Sequence, residues 1–177
     1  DIDEVPFFLS RTGINRTLQK TDLGSNLIQL SKKVLSKGTS MKILIVSATD
    51  TQGGAGRAAY RLHTSLLKAN IDSIMLVLRK TSSDDSVIGP QNILQKITSI
   101  IRPHIDNLPT KLYRKRSGAM FSILWLPFSS IVRKINMINP DIVHVHWIGS
   151  GMLNLNDIIK IKAPIVWSLH DMWAFTG

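Results

Sequence analysis

Three observations predict an α/β fold in which a parallel sheet carries helices on both faces. Apolar runs rich in β-branched residues recur along the chain: "KILIVSA" from Lys42, "SIMLVL" from Ser73, "DIVHVHW" from Asp141 and "PIVWSLH" from Pro164. These runs are close to continuously apolar, as strands buried on both faces must be. Segments of helical periodicity separate them, and strands alternating with helices imply right-handed crossovers and a parallel sheet.

The chain divides at Met41. Residues 1–40 form an extension with one short helix, because "LIQLSKKVLSKG" sets Leu27, Leu30 and Val34 at helical spacing, with Ser25 to cap and Gly38 to stop. Residues 41–177 hold the α/β pattern. The first strand leads through the glycine-rich "TDTQGGAG" into a helix whose inner face carries Ala59, Leu62 and Leu66, and then into the second strand. Beyond it, "NILQKITSIIRPHI" predicts a helix broken at Pro103, followed by the basic run "KLYRKRSG". A stripe of Ile131, Ile135 and Ile138 predicts the next helix, capped by Ser129 or Ser130 and ended by Pro140. The third strand, a short helix in "NLNDIIKIK" and the fourth strand complete the pattern.

Composition narrows the partners. The 177 residues are 44% hydrophobic, enough for one ordinary core, and 22 Lys and Arg against 12 Asp and Glu leave a net +10 that favours an anionic partner. With no cysteine, disulfides and thiolate metal sites are excluded, and the five histidines form no ligand cluster at metal spacing. The longest apolar stretch, Phe121 to Val132, is interrupted by Pro127 and falls short of the ~20 residues that span a bilayer. No signal peptide opens the sequence, so a cytoplasmic location is expected. Asp1 at the start, Met41 before the first strand and Gly177 in mid-motif make the sequence read as a fragment.

In an open parallel sheet, ligands gather beyond the carboxyl ends of the strands, near the reversal of strand order. The residues expected there are Asp50 to Gly56, Arg79 and Lys80, His146 and Trp147, and His170 with Asp171. Glycines ahead of a helix let backbone amides approach phosphate or sugar hydroxyls, and Gly54, Gly56 and Ala59 satisfy the dinucleotide pattern G-x-G-x-x-A. Several residues separate that pattern from its strand, however, and the second strand ends in Arg79 where an acidic residue would hold a ribose. His170 has three readings: general base, hydrogen-bond donor to a substrate oxygen, or satisfied core histidine. His144 lies nearer mid-strand and reads as structural, while His146, two residues on and on the same face, reaches the tip. The cations Arg102, Lys111, Arg114, Lys115 and Arg116 fit either anionic lipid or a solvated loop; with Tyr113 their only aromatic, nucleic acid is not expected.

"MKILIVSATDTQGGAGRAAYRLHTSL", "INPDIVHVHWIGSGMLNL" and "IKAPIVWSLHDMWAFTG" together resemble the N-terminal domain of GT-B glycosyltransferases, specifically family 4 enzymes that build bacterial exopolysaccharide or lipopolysaccharide. The resemblance implies an incomplete Rossmann-like acceptor-side domain that faces a donor-binding domain across a cleft. It implies a nucleotide-sugar donor, a glycan or lipid-linked acceptor, retention of configuration, and no metal or other cofactor. Gly53 and Gly54 match the loop facing donor phosphates and acceptor, and His170 matches the histidine set against the transferred sugar, with Asp171 beside it. Arg57 adds positive charge at the helix start, and His146 joins the substrate-binding set. The family's paired glutamates belong to the donor domain, and Glu4 is the single glutamate here, so the fragment alone is expected to be inactive. Peripheral contact with the anionic inner membrane face would suit a lipid-linked acceptor. The alternatives are an NADP-binding Rossmann domain of an oxidoreductase and a non-catalytic sugar-binding module.

Overall fold

The computed structural model describes residues 9–10, 41–111, 122, 124–127 and 130–171. The helix expected between residues 25 and 38, the cations Arg114, Lys115 and Arg116, and the end of the closing motif from Met172 lie outside them. In chain order the elements are β1 (Leu9–Ser10), β2 (Lys42–Thr49), α1 (Gly53–Lys68), β3 (Asp72–Arg79), β4 (Val87–Ile88), α2 (Ile93–Asp106), α3 (Leu108–Lys111), α4 (Ile131–Ile138), β5 (Ile142–Val145), α5 (Leu155–Ile158) and β6 (Ile165–Trp167).

The sheet runs β1-β6-β5-β2-β3-β4. From β6 to β4 its strands are parallel, and β1 adds a short antiparallel edge on β6. The α/β class and the parallel sheet agree with the sequence pattern. After β1, the chain runs to β2, builds outward through β3 and β4, then returns to the other flank for β5 and β6, so strand order reverses between β2 and β5.

The unbroken apolar character of β2 follows from its two faces. Leu44, Val46 and Ala48 pack with Val143, Val145, Ile131 and Ile135 on the side covered by α4. Ile43 and Ile45 pack with Ala59, Leu66 and Met75 on the side covered by α1. Period-2 alternation thus divides one hydrophobic string between two cores.

α1 ends where its apolar stripe runs out. Asn70 takes a left-handed φ of 58°, its N–H donates to the Leu67 carbonyl, and the Ile71 N–H donates to that of Leu66. This is a Schellman closure, with the buried pair Ile71 and Leu66 supplying its hydrophobic contact.

Three expectations need correction. α2 does not break at Pro103 but continues to Asp106. Arg102 and Asp106 are tied to backbone and side-chain partners on both sides of the proline, and these contacts hold the turn that Pro103 weakens. Ser130 stands at the start of α4, yet its side chain makes no cap hydrogen bond, and Ser129 lies outside the described residues. Finally, Arg102 is not a surface cation: its guanidinium donates to the carbonyls of Gly151, Leu126 and Pro127.

Candidate functional site

The carboxyl ends of β2, β5 and β6 lie side by side, because β5 is bonded to both of the others. Register also fixes the face. Ile45, on the α1 side of the sheet, pairs with His144, and His144 pairs with Val166. Ser168 is hydrogen-bonded to His144, the His146 ring lies against that of His144, and His170 is hydrogen-bonded to His146, so all three stand on that same α1 side. The N-terminus of α1 and the tip of β6 therefore share one edge and one face.

The loop after β2 is held by a buried carboxylate. Asp50, fully inaccessible, accepts hydrogen bonds from the Thr81 amide and hydroxyl, the Ser82 amide and the Thr51 amide. Burial opposes its charge, but the Thr81 hydroxyl and the Ser82 and Thr81 donors outweigh burial and hold its pKa well below the ordinary carboxylate range. Asp50 thus ties the entrance of α1 to the segment after β3.

The three glycines that follow do different jobs. Gly53 adopts a φ of 70°, which a side chain would strain. Gly54 has open space where a Cβ would stand. A Cβ on Gly56 would collide with Thr49 Oγ1 and come within 2.9 Å of the Thr49 carbonyl oxygen. Gly56 and the inaccessible Ala59 are therefore packing positions that let α1 lie close on β2, and they account for much of the G-x-G-x-x-A pattern without a dinucleotide. Gly53 and Gly54 are exposed. No side chain caps α1, and no acidic residue occupies its first turn. Arg57 is exposed on that turn.

Across the edge stands a row of histidines. His144 Nε2 lies 2.8 Å from Ser168 Oγ, and His146 Nδ1 lies 2.8 Å from His170 Nε2. The rings of His144 and His146 are 4.4 Å apart, and those of His146 and His170 are 5.0 Å apart. Burial, and to a smaller degree the neighbouring His170, pushes His144 down to about 3. Burial first, then His144 and His170, holds His146 well below the usual histidine range. Both are neutral near pH 7. His170 is half-buried at the strand tip, and Asp171 beside it is exposed.

The structure thus joins His146 to His170 by a hydrogen bond and places Gly53, Gly54 and Arg57 on the same edge. Asp50 as a clamp and Ser168 as the partner of His144 escaped the sequence reading. An acidic residue directly after a buried strand was the available signal for Asp50; nothing local marked Ser168. Depressions between α2 and α4 and between α4 and α5 share no residue with this edge.

Neither curated proteins nor solved structures gave a match to the chain. A family model described as Glycosyltransferase Family 4 matches residues 52–177, well over half of the sequence. The match begins at Gln52, the residue that opens α1, and takes in both the glycine loop and the histidine row. With its Rossmann-like α/β sheet, the chain belongs to glycosyltransferase family 4, a family whose general activity is sugar transfer.

Proposed function

We propose that this domain forms the acceptor-side wall of an enzyme that moves a hexose from a nucleotide-sugar donor to a glycan or lipid-linked acceptor with retention of configuration. The observation that carries the reading is the common edge and face of the α1 N-terminus and His170, next to the reversal of strand order. As the bond between sugar and diphosphate breaks, negative charge grows on the phosphate and the sugar becomes oxocarbenium-like. The exposed amides of Gly53 and Gly54 and the cation of Arg57 serve the phosphate side without a metal. His170 hydrogen-bonds the transferred sugar, and Asp171 offers an acceptor to a substrate hydroxyl. Bacterial polysaccharide assembly at the cytoplasmic membrane face is the setting that suits such an acceptor.

His146 sets the tautomer of His170. Its Nε2 is buried without a hydrogen-bond partner among the described residues, and a stranded N–H costs more than a stranded lone pair. The His146 proton therefore sits on Nδ1 and is donated to His170 Nε2. His170 Nε2 is then the acceptor, which leaves Nδ1 as the ring nitrogen that carries its proton.

The test is sugar transfer by the intact natural protein with a panel of nucleotide-sugars. His170→Ala is expected to lower kcat by about 100-fold or more while changing donor affinity little. Native turnover in that variant would overturn the assignment.

A further inference from the structure

α2 is mounted with the opposite polarity to an ordinary surface helix. Its inward stripe is polar: Gln95, Ser99, Arg102 and Asp106 follow one another at helical spacing, and Ser99 and Asp106 are its buried residues. Each inward group has a partner. Gln95 Oε1 accepts from Lys134 Nζ, Ser99 donates to the Lys96 carbonyl, Arg102 holds three backbone carbonyls, and Asp106 accepts from the Ser122 hydroxyl. The outward stripe is apolar, with Ile93 and Leu94 76% exposed, Ile100 62% and Ile97, Ile101 and Leu108 about half exposed. Trp125, 45% exposed, donates its indole N–H to the Asp106 carbonyl and so joins the same end of the helix. The bonds of Gln95, Arg102 and Asp106 reach outside the helix and fix its rotation, so the apolar stripe cannot roll into the core without stranding them.

Charge identifies what covers the stripe. Residues 91–120 contain six Lys and Arg and a single acid, half of the chain's net +10. That acid is Asp106, which faces inward and is inaccessible. Lys96 and His104 are exposed on the helix itself, and the cations from Lys111 onward follow it directly in sequence. An apolar stripe with Lys96 exposed beside it, a basic sequence following it and no exposed acid on the helix fits an anionic lipid leaflet, with aliphatic side chains in the acyl boundary and lysines at headgroup level. A second copy of the chain would bring the same positive charge against itself. Among the described residues no helix is long and apolar enough to cross a membrane, so the contact is one of lying on the surface.

We propose that the outward face of α2, with Trp125, docks this domain on an anionic phospholipid surface. The inference reaches beyond the sugar-transfer reading and names the patch by which such an enzyme would meet a lipid-linked acceptor. The two fail separately, since vesicle binding reports on α2 and turnover of His170 variants reports on the site. In co-sedimentation, the chain is expected to bind vesicles of equal phosphatidylcholine and phosphatidylglycerol, and to bind pure phosphatidylcholine far less. Ile97→Glu with Ile100→Glu should weaken that binding at least about tenfold while circular dichroism stays native. If that pair disturbs the fold, Ile93→Ser with Leu94→Ser on the first turn gives the same reading. Three results would overturn the proposal: no affinity for the mixed vesicles, undiminished affinity in a folded variant, or a chain dimer that the glutamates disperse, which would assign the stripe to a second copy.

Discussion

α1 and α2 show the same helical alternation in sequence, yet they meet the domain with opposite sides. α1 turns Ala59 and Leu66 onto the sheet and leaves Arg57 and Arg61 in solvent. α2 turns Arg102 and Asp106 inward and leaves Ile93, Ile97, Ile100 and Ile101 outside. Periodicity establishes that a stripe exists, but the partner available on each side decides which stripe is buried. The sheet face beside α1 offers Ile43, Ile45 and Met75. The surroundings of α2 offer carbonyls of Leu126, Pro127 and Gly151 and the Ser122 hydroxyl, which a polar stripe satisfies better.

The sharpest way to break this contrast is to truncate one apolar residue on each helix. Leu66→Ala removes a side chain from a closed core and should destabilise the fold by about 2–5 kcal/mol in denaturant titration. Ile100→Ala, on the outward stripe, should stay within about 0.5 kcal/mol. Comparable losses would mean that α2 also buries its apolar side.

A second comparison lies within α1. Gly56→Ala forces a methyl against Thr49 and should cost about 1–3 kcal/mol. Gly54→Ala meets open space and should leave the thermal midpoint close to native. If Gly54→Ala nonetheless impairs sugar transfer in the intact protein, that glycine serves ligand approach and Gly56 serves packing.

Acid separates the buried histidine row from the rest of the core. His144 has a folded pKa near 3, below the ordinary value near 6.5, so the unfolded chain binds a proton that the folded chain refuses. Stability is therefore intact above about pH 6.5 and falls toward pH 3, by up to about 1.4 kcal/mol per pH unit for this one group. Unfolding midpoints measured across that window should fall with pH in the native chain and fall less steeply in a folded His144→Gln variant.

Much of the architecture was legible in the residues themselves. Continuous apolar runs gave the parallel strands, and glycines before a helix marked the loop after the first. The position of His170 at the end of "PIVWSLH" placed it on the edge where doubly wound sheets bind ligands. Pro103 misled because the cost of a proline in a helix is local, whereas the bonds that offset it come from residues 16 to 49 positions away.

The sequence alone determined composition, alternation and the order of elements, since these depend on neighbours a few residues apart. Tertiary structure decided that His146 and His170, 24 positions apart, share a hydrogen bond. It also decided that Asp50 reaches Thr81 and Ser82, and that α2 faces outward with its apolar side. Hydrogen bonding and burial act through space, and no local pattern specifies which distant group will stand opposite.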